Sequence, residues 1–178
     1  MIKNSPQVIL MPLQPHDREQ FILDNQEAFL YGAVEEFGLR DDHFEEEGQI
    51  ISRETIETVL DSSGSKAYRI IADGEKAGGI VVSVNGDRGE LELLFTLPRL
   101  HSKGIGYAAW RETERLYPHV RVWETVTPYF EQRNIHFYVN RCGFHIVEFF
   151  NSHYPDPDQT EDMGDGMFRF EKVMDRQD

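Results

Sequence analysis

The run His101-Ser102-Lys103-Gly104-Ile105-Gly106-Tyr107 sets two glycines two positions apart beside a lysine. Where a strand hands over to a helix, such a turn binds anions. Glycine lets the backbone approach a phosphate, and the unpaired N–H groups and dipole of the first helical turn point at it. Upstream, Glu90 and Glu92 alternate along a strand-like run and share one face, where a carboxylate can take a proton from an ammonium group. Downstream, Asn134 and Tyr138 lie one helical turn apart, pairing an amide that can hold peptide-like groups with a phenol that can release a proton. Cys142 falls on the apolar side of that helix, where a thiol packs rather than attacks.

These residues need a scaffold, and the periodicity supplies one. A short strand at Val8–Leu13 leads through Pro15 into a helix from about Asp17 to Phe37, with Ile22, Phe29, Ala33 and Phe37 along one face. A second helix follows at about Arg53–Leu60. The period then changes to two: Tyr68–Ala72, Gly79–Val84 and Glu90–Leu97 are β-rich runs separated by Asp73-Gly74 and Asn85-Gly86, both hairpin signals. A helix at about Gly106–Leu116, a strand at Val120–Val126 and a helix at about Asn134–Arg141 come next. On that last helix Ile135, Val139 and Cys142 are expected to face the core, with Asn134 and Tyr138 on another side. Two strands, Phe144–Phe150 and Met167–Val173, end the pattern. The order predicts one α/β domain over residues 1–178: a mixed sheet with an antiparallel meander followed by a parallel pair, flanked by helices.

Bulk properties narrow the function. The chain has 178 residues, 18 Lys and Arg against 32 Asp and Glu, and a net charge of −14, which opposes nucleic-acid backbones and anionic membrane surfaces. A single cysteine excludes an internal disulfide framework and fits a reducing, cytoplasmic setting. The N-terminal residues lack the build of a signal peptide, and no apolar run approaches the ~20 residues of a spanning helix. The seven histidines have no metal-helix spacing, and the acids between Asp156 and Asp165 do not fit a calcium loop, so no metal is expected. The charge is uneven: residues 1–64 carry a net −10, with a run of acids between Glu35 and Glu47, whereas residues 94–145 carry a net +3. That polarity suits an anionic ligand at the middle and a cationic one at the front.

Two dinucleotide-type readings compete for the glycine turn. Gly104-Ile105-Gly106-Tyr107-Ala108-Ala109 satisfies the loose G-x-G-x-x-G/A pattern, with Glu124 twenty positions on. Against it, six residues separate the strand from the first glycine, and hairpin-linked strands precede the site. The other reading rests on Glu90-Leu91-Glu92-Leu93-Leu94-Phe95-Thr96-Leu97-Pro98, the His101–Gly106 turn, and the helix ending Arg141-Cys142-Gly143-Phe144. These residues resemble the GNAT superfamily of acetyl-CoA-dependent N-acetyltransferases. Gly104, Ile105 and Gly106 match its Q/R-x-x-G-x-G/A phosphate pattern, with His101 where Gln or Arg is usual. Asn134, Phe137, Tyr138, Gly143 and Phe144 resemble its second motif, with one extra residue between Tyr138 and Gly143.

The resemblance implies acetyl-CoA as cosubstrate, its pyrophosphate on the backbone N–H groups of Ser102, Lys103, Gly104, Ile105, Gly106 and Tyr107. The pantetheine arm would run along Phe95, Thr96 and Leu97, whose N–H groups would polarise the acetyl carbonyl. Glu90 matches the family's base by position and Glu92 is the alternative. Asn134 would bond the pantetheine amides and Tyr138 would protonate the departing thiolate. The expected function is acetyl transfer to an amine of a cationic acceptor, small molecule or peptide, by direct attack in a ternary complex. A CoA-binding regulatory module and a nucleotide-dependent oxidoreductase are the alternatives, and a homodimer is left open.

Overall fold

The computed structural model describes residues 4–36, 44–158 and 166–175. Seven strands hydrogen-bond in the order β1-β2-β3-β4-β5-β7-β6, where β1 is Val8–Pro12, β2 Ser65–Ala72, β3 Glu75–Asn85, β4 Arg88–Thr96, β5 Val122–Pro128, β6 His145–Phe150 and β7 Met167–Val173. The expected mixed sheet is present. β1, β2, β3 and β4 form the meander, β4 and β5 pair in parallel, and β7 runs antiparallel to both β5 and β6. The Rossmann alternative requires a repeating parallel βαβ array, and among the described strands the parallel pairing is that of β4 with β5.

The chain divides into two compact units, one comprising residues up to Ser83 together with Glu92–Tyr117, the other Val84–Leu91 together with the residues from Pro118 onward. In the first unit, helices α1 (Arg18–Tyr31) and α2 (Arg53–Asp61) supply Phe21, Ile22, Ala28 and Ile56 to a core shared with Ile51, Val81, Leu93 and Phe95. Phe21 meets Phe95 edge to face at 5.1 Å. The helix expected to reach Phe37 ends earlier: α1 stops at Tyr31 and a π-type turn covers Gly32–Glu36, while Phe37 lies outside the described residues. α1 also buries Asp24, Asn25 and Gln26, so polar side chains interrupt its apolar stripe, and of these Asp24 accepts from Arg69 and Gln26 donates to the Ile51 carbonyl. Helix α3 (Ile105–Leu116) buries Ile105, Ala109, Trp110 and Thr113.

Asp73 and Gly74, both at positive φ, turn β2 into β3 as expected. The next hairpin differs by one position. Its turn residues are Gly86 and Asp87, because glycine takes the positive φ of 60° at the first corner while Asn85 still belongs to β3.

In the second unit, Gly89 stands opposite the buried Trp123, and a Cβ at Gly89 would lie 2.4 Å from the indole ring. Gly89→Ala is therefore expected to cost about 1–3 kcal/mol through overpacking. Calorimetry should record a melting point lower by a few degrees, given ~2–4 °C per kcal/mol at this chain length.

Candidate active site

The glycine turn lies in the first unit and has a backbone geometry that can hold an anion. A 3-10 turn over Pro98–Leu100 leads to Ser102 at φ 63° and Gly104 at φ 76°, and Gly104 caps α3. Ala108 donates to the Gly104 carbonyl at 3.0 Å, so the N–H groups preceding it lie at the open start of the helix, where no intrahelical carbonyl can reach them. A left-handed serine is costly for an L-residue and holds the backbone in the curl that presents those donors. Nothing stands within 4 Å of a Cβ position at Gly104, so the outer side of the turn is open. These features fit a pyrophosphate. His101 packs edge-on against Tyr31 at 5.2 Å, which ties the turn to the end of α1. Lys103 is exposed and lines, with Asp73 and Glu75, a cavity of about 260 Å³.

Along β4, Phe95 and Leu97 are buried and Thr96 is half-buried. Leu97 N–H donates to the Ala77 carbonyl at 2.8 Å, so it is committed to β3. Backbone N–H groups alternate between the two edges of a strand, which puts the Thr96 N–H on the opposite edge of β4. Glu92 is half-buried and accepts a 3.0 Å hydrogen bond from the Ser83 hydroxyl. Burial pushes its carboxyl above the usual range, and the Ser83 bond pulls only partly back.

Glu90 belongs to the second unit, is exposed, and stands in register with Glu124 of β5. Arg88 and Arg169 both hold Glu124, the latter at 3.0 Å, and Arg169 also binds Glu171 at 2.7 Å and Glu148. Glu124, the acid that the Rossmann pattern would place on a ribose, is thus a member of a charge ladder across the strands.

The segment carrying Asn134 and Tyr138 is wound differently from a regular helix. Helix α4 spans Gln132–His136, and Phe137–Cys142 continues as a π-type turn in which Gly143 N–H donates to the Tyr138 carbonyl, five residues back. A turn of this width takes one residue more than an α-helical turn. Winding also changes which side chains face inward. Tyr138, expected away from the core stripe, is 8 % exposed and buried together with Cys142, while Ile135 and Val139 are only half-buried. The phenol packs near the rings of Phe137, Phe144 and Phe170, at 5.7, 5.8 and 5.5 Å, and is hydrogen-bonded to the Thr125 side chain. Burial pushes its pKa up to about 12 against the pull of that bond, so the group is fully protonated near neutrality. Asn134 Nδ2 donates to the Thr127 hydroxyl at 3.3 Å.

Thr125 and Thr127, beside Tyr138 and Asn134 in the second unit, and Ser83, beside Glu92 in the first, are partners of those side chains that the sequence reading missed. The first two sit at alternate positions of Val122-Trp123-Glu124-Thr125-Val126-Thr127, both buried. Their signal was buried hydroxyls at strand spacing, which needs the facing helix to acquire meaning. Of the acids between Glu35 and Glu47, Asp41 and Asp42 lie outside the described residues. Glu45 accepts from Ser52 N–H and the Thr55 hydroxyl, and Glu46 accepts from Gln26. Those two acids strap the segment before α2 onto α1 and α2.

Comparison with known proteins agrees with this geometry. A Bacillus subtilis (strain 168) protein, the uncharacterised YrkN, is 41 % identical over 187 residues, covering 99 % of this chain and 98 % of its own. The PaiA N-acetyltransferase of Thermoplasma acidophilum, solved with coenzyme A, superposes with a TM-score of 0.64 at 18 % identity, covering 94 % of this chain and 99 % of its own. The spermidine N-acetyltransferase of Vibrio cholerae, solved with CoA and spermine, gives 0.64 at 13 %, covering 94 % and 95 %. A GNAT family acetyltransferase from Elizabethkingia anophelis with acetyl-CoA bound gives 0.60 at 14 %, covering 96 % and 99 %. Residues 20–144 match the Acetyltransferase (GNAT) family, and with the glycine turn opening α3 and the parallel β4–β5 pair in place, the chain belongs to that family of acyltransferases.

Proposed function

We propose that the chain, working as one domain over residues 1–178, transfers the acetyl group of acetyl-CoA to an amine of a cationic acceptor by direct attack in a ternary complex. The observation that carries this reading is the Ser102–Gly104 turn, whose left-handed residues present the first N–H groups of α3 on an open side. Acetyl-CoA supplies an activated acyl group. The backbone of Ser102–Tyr107 holds its pyrophosphate, the Thr96 N–H polarises the acetyl carbonyl, and Asn134 bonds the pantetheine amides. Glu90 takes the proton that the attacking ammonium must lose, with Glu92 as the alternative base, since an amine of pKa near 10.4 is almost wholly protonated at neutrality. The amine nitrogen bonds to the carbonyl carbon, the C–S bond breaks, Tyr138 gives its proton to sulfur, and the second proton shed by the new amide nitrogen restores the phenol by way of water. The acidic first third favours a polyamine, an aminoglycoside or a basic peptide, because long-range attraction raises the encounter rate of a cation.

The test is thiol release from acetyl-CoA over a panel of amines. Turnover with a polycationic amine, faster than with a neutral-chain amine and weakened by salt, is expected. Acetyl-CoA binding without turnover on any amine would leave a CoA-binding module instead, and NADH binding in place of CoA would favour the oxidoreductase. The cradle is checked separately. Gly106→Val adds a branched side chain where the backbone must approach phosphate. It should weaken acetyl-CoA binding at least about tenfold, a loss of ~1.4 kcal/mol by calorimetric titration, in a protein that melts normally.

A further inference from the structure

We propose that Thr125 and Thr127 of β5 are positioning residues for the acetyl transfer, each hydroxyl fixing one side chain of the α4 segment: Thr125 the Tyr138 phenol and Thr127 the Asn134 carboxamide. The inference rests on the acetyl-transfer reading and adds to it two residues that act through others.

The inward positions of β5 are Trp123, Thr125 and Thr127, and all three are buried. Valine has the same branched shape and brings no polar atom inside, so two buried threonines on this face need partners. Both have them. Thr127 accepts from Asn134 Nδ2 at 3.3 Å, and Thr125 donates to the Leu91 carbonyl at 2.9 Å while its side chain is hydrogen-bonded to the phenol of Tyr138.

The two elements match in spacing. Two strand residues advance ~7 Å and four helical residues ~6 Å. Asn134 precedes Tyr138, whereas its partner Thr127 follows Thr125, so the α4 segment runs back along the strand and both bonds form together. A slip of one strand residue would turn both hydroxyls to the other face.

Proton accounting gives each bond a direction. Thr125 has one proton and gives it to Leu91, so toward Tyr138 its oxygen accepts and the phenol donates. This bond fixes the phenol oxygen at rest. Once the O–H turns to sulfur and its proton leaves, Thr125 swings its own proton from Leu91 to the phenolate and stabilises that charge. Thr127 holds the amino end of the Asn134 carboxamide, which leaves Oδ1 for a pantetheine N–H.

Removing each hydroxyl at constant shape tests this in the full chain, with acetyl-CoA titrated by calorimetry and thiol release followed on the amine that turns over fastest. Thr127→Val should raise the acetyl-CoA dissociation constant about fivefold, the weight of one hydrogen bond, and leave kcat within about twofold. Thr125→Val should lower kcat about tenfold with affinity unchanged. Thr125→Ser and Thr127→Ser keep the hydroxyl and should restore both values. On an Asn134→Ala background, Thr127→Val should add nothing. If a valine variant misfolds, alanine at that position is read in the same way. Losses shared equally between affinity and kcat at both positions, or serine variants as impaired as the valine ones, would overturn the proposal and leave the threonines as packing. Tyr138→Phe separates that failure from failure of the reading beneath it. If it slows turnover and Thr125→Val does not, the positioning role falls and the acid stands. Normal turnover in Tyr138→Phe, or no turnover of the unaltered chain on any amine, removes the acid and the Thr125 half together, while binding alone decides Thr127.

Discussion

Tyr138→Phe is expected to lower kcat about 10²-fold, the lower end of what a positioned general acid contributes, while acetyl-CoA affinity holds. The substitution removes one oxygen and keeps a ring among Phe137, Phe144 and Phe170. Thr125 retains its own hydrogen bond to the Leu91 carbonyl at 2.9 Å, so the stability change should stay near about 1 kcal/mol. Burial pushes the phenol up to about 12, so it enters the reaction protonated, and the substitution checks whether it is the group that delivers that proton. Glu90→Gln should behave differently. Its loss is greatest at neutral pH and eases as pH rises, because solvent then supplies more neutral amine. An acetyl donor with a better leaving group should restore much of the Tyr138→Phe loss and little of the Glu90→Gln loss. Unaltered turnover in Tyr138→Phe, with chemistry shown to limit the rate, would return Tyr138 to packing alone. Glu92→Gln decides between the carboxylates: if Glu92 is the base, its raised pKa sets the acid limb of the kcat/KM profile, and only that substitution removes the limb.

The second large effect concerns stability. Arg69 is buried in the first unit, its side chain 4 % exposed, donating to Asp17 at 2.7 and 3.3 Å and to Asp24 at 2.8 Å. Lys76 adds a 2.8 Å bond to Asp17, and the guanidinium lies over the Phe21 ring at 5.2 Å. Arg69→Met leaves two buried carboxylates without their shared cation and should cost about 3–5 kcal/mol. That corresponds to a melting point lower by roughly 6–20 °C at ~2–4 °C per kcal/mol. Adding Asp17→Asn and Asp24→Asn to Arg69→Met should recover much of it, since the unpaired charge rather than lost volume carries the penalty. The pH dependence has a definite sign. Burial pushes the Asp17 carboxyl up, but the bonds from Arg69 and Lys76 outweigh it and hold it below the ordinary range. Its contribution is therefore complete above the unfolded value of about 4 and fades as pH falls through the lower folded value. Asp17→Asn should flatten that acid loss, and an unchanged acid profile would mean the pair contributes nothing net.

Local chemistry made the strands and the glycine turn legible. Alternating apolar residues in β4, Asp73-Gly74 at the β2–β3 corner, and paired glycines ahead of α3 each impose their own geometry through period or backbone freedom. What stayed hidden depends on groups distant in sequence. Asp24 reads as a solvated helix residue until Arg69, 45 positions on, is brought to it. Leu97 reads as a free backbone donor until Ala77 takes its N–H. Tyr138 reads as lying off the core stripe because an α-helical period of 3.6 was applied to a segment that winds more widely. The acids near Glu45 and Glu46 read as a field for cations; their carboxylates keep that charge while also accepting hydrogen bonds from the neutral Gln26, Ser52 and Thr55 groups, a structural role that a count of charges does not reveal.

The wide turn at Phe137–Cys142 changes what counts as a match between relatives. An added residue normally displaces everything downstream, yet here Gly143 still closes the segment at φ 83° and β6 starts two residues later. A π-type turn holds one residue more than an α-helical turn within a single loop of hydrogen bonds, here closed from the Gly143 N–H to the Tyr138 carbonyl. Fixed gaps between tyrosine and the following Gly-Phe pair are thus a poor ruler for such chains. Searches that let this gap vary by one, while requiring a buried hydroxyl on the facing strand, should recover diverged members that rigid patterns discard.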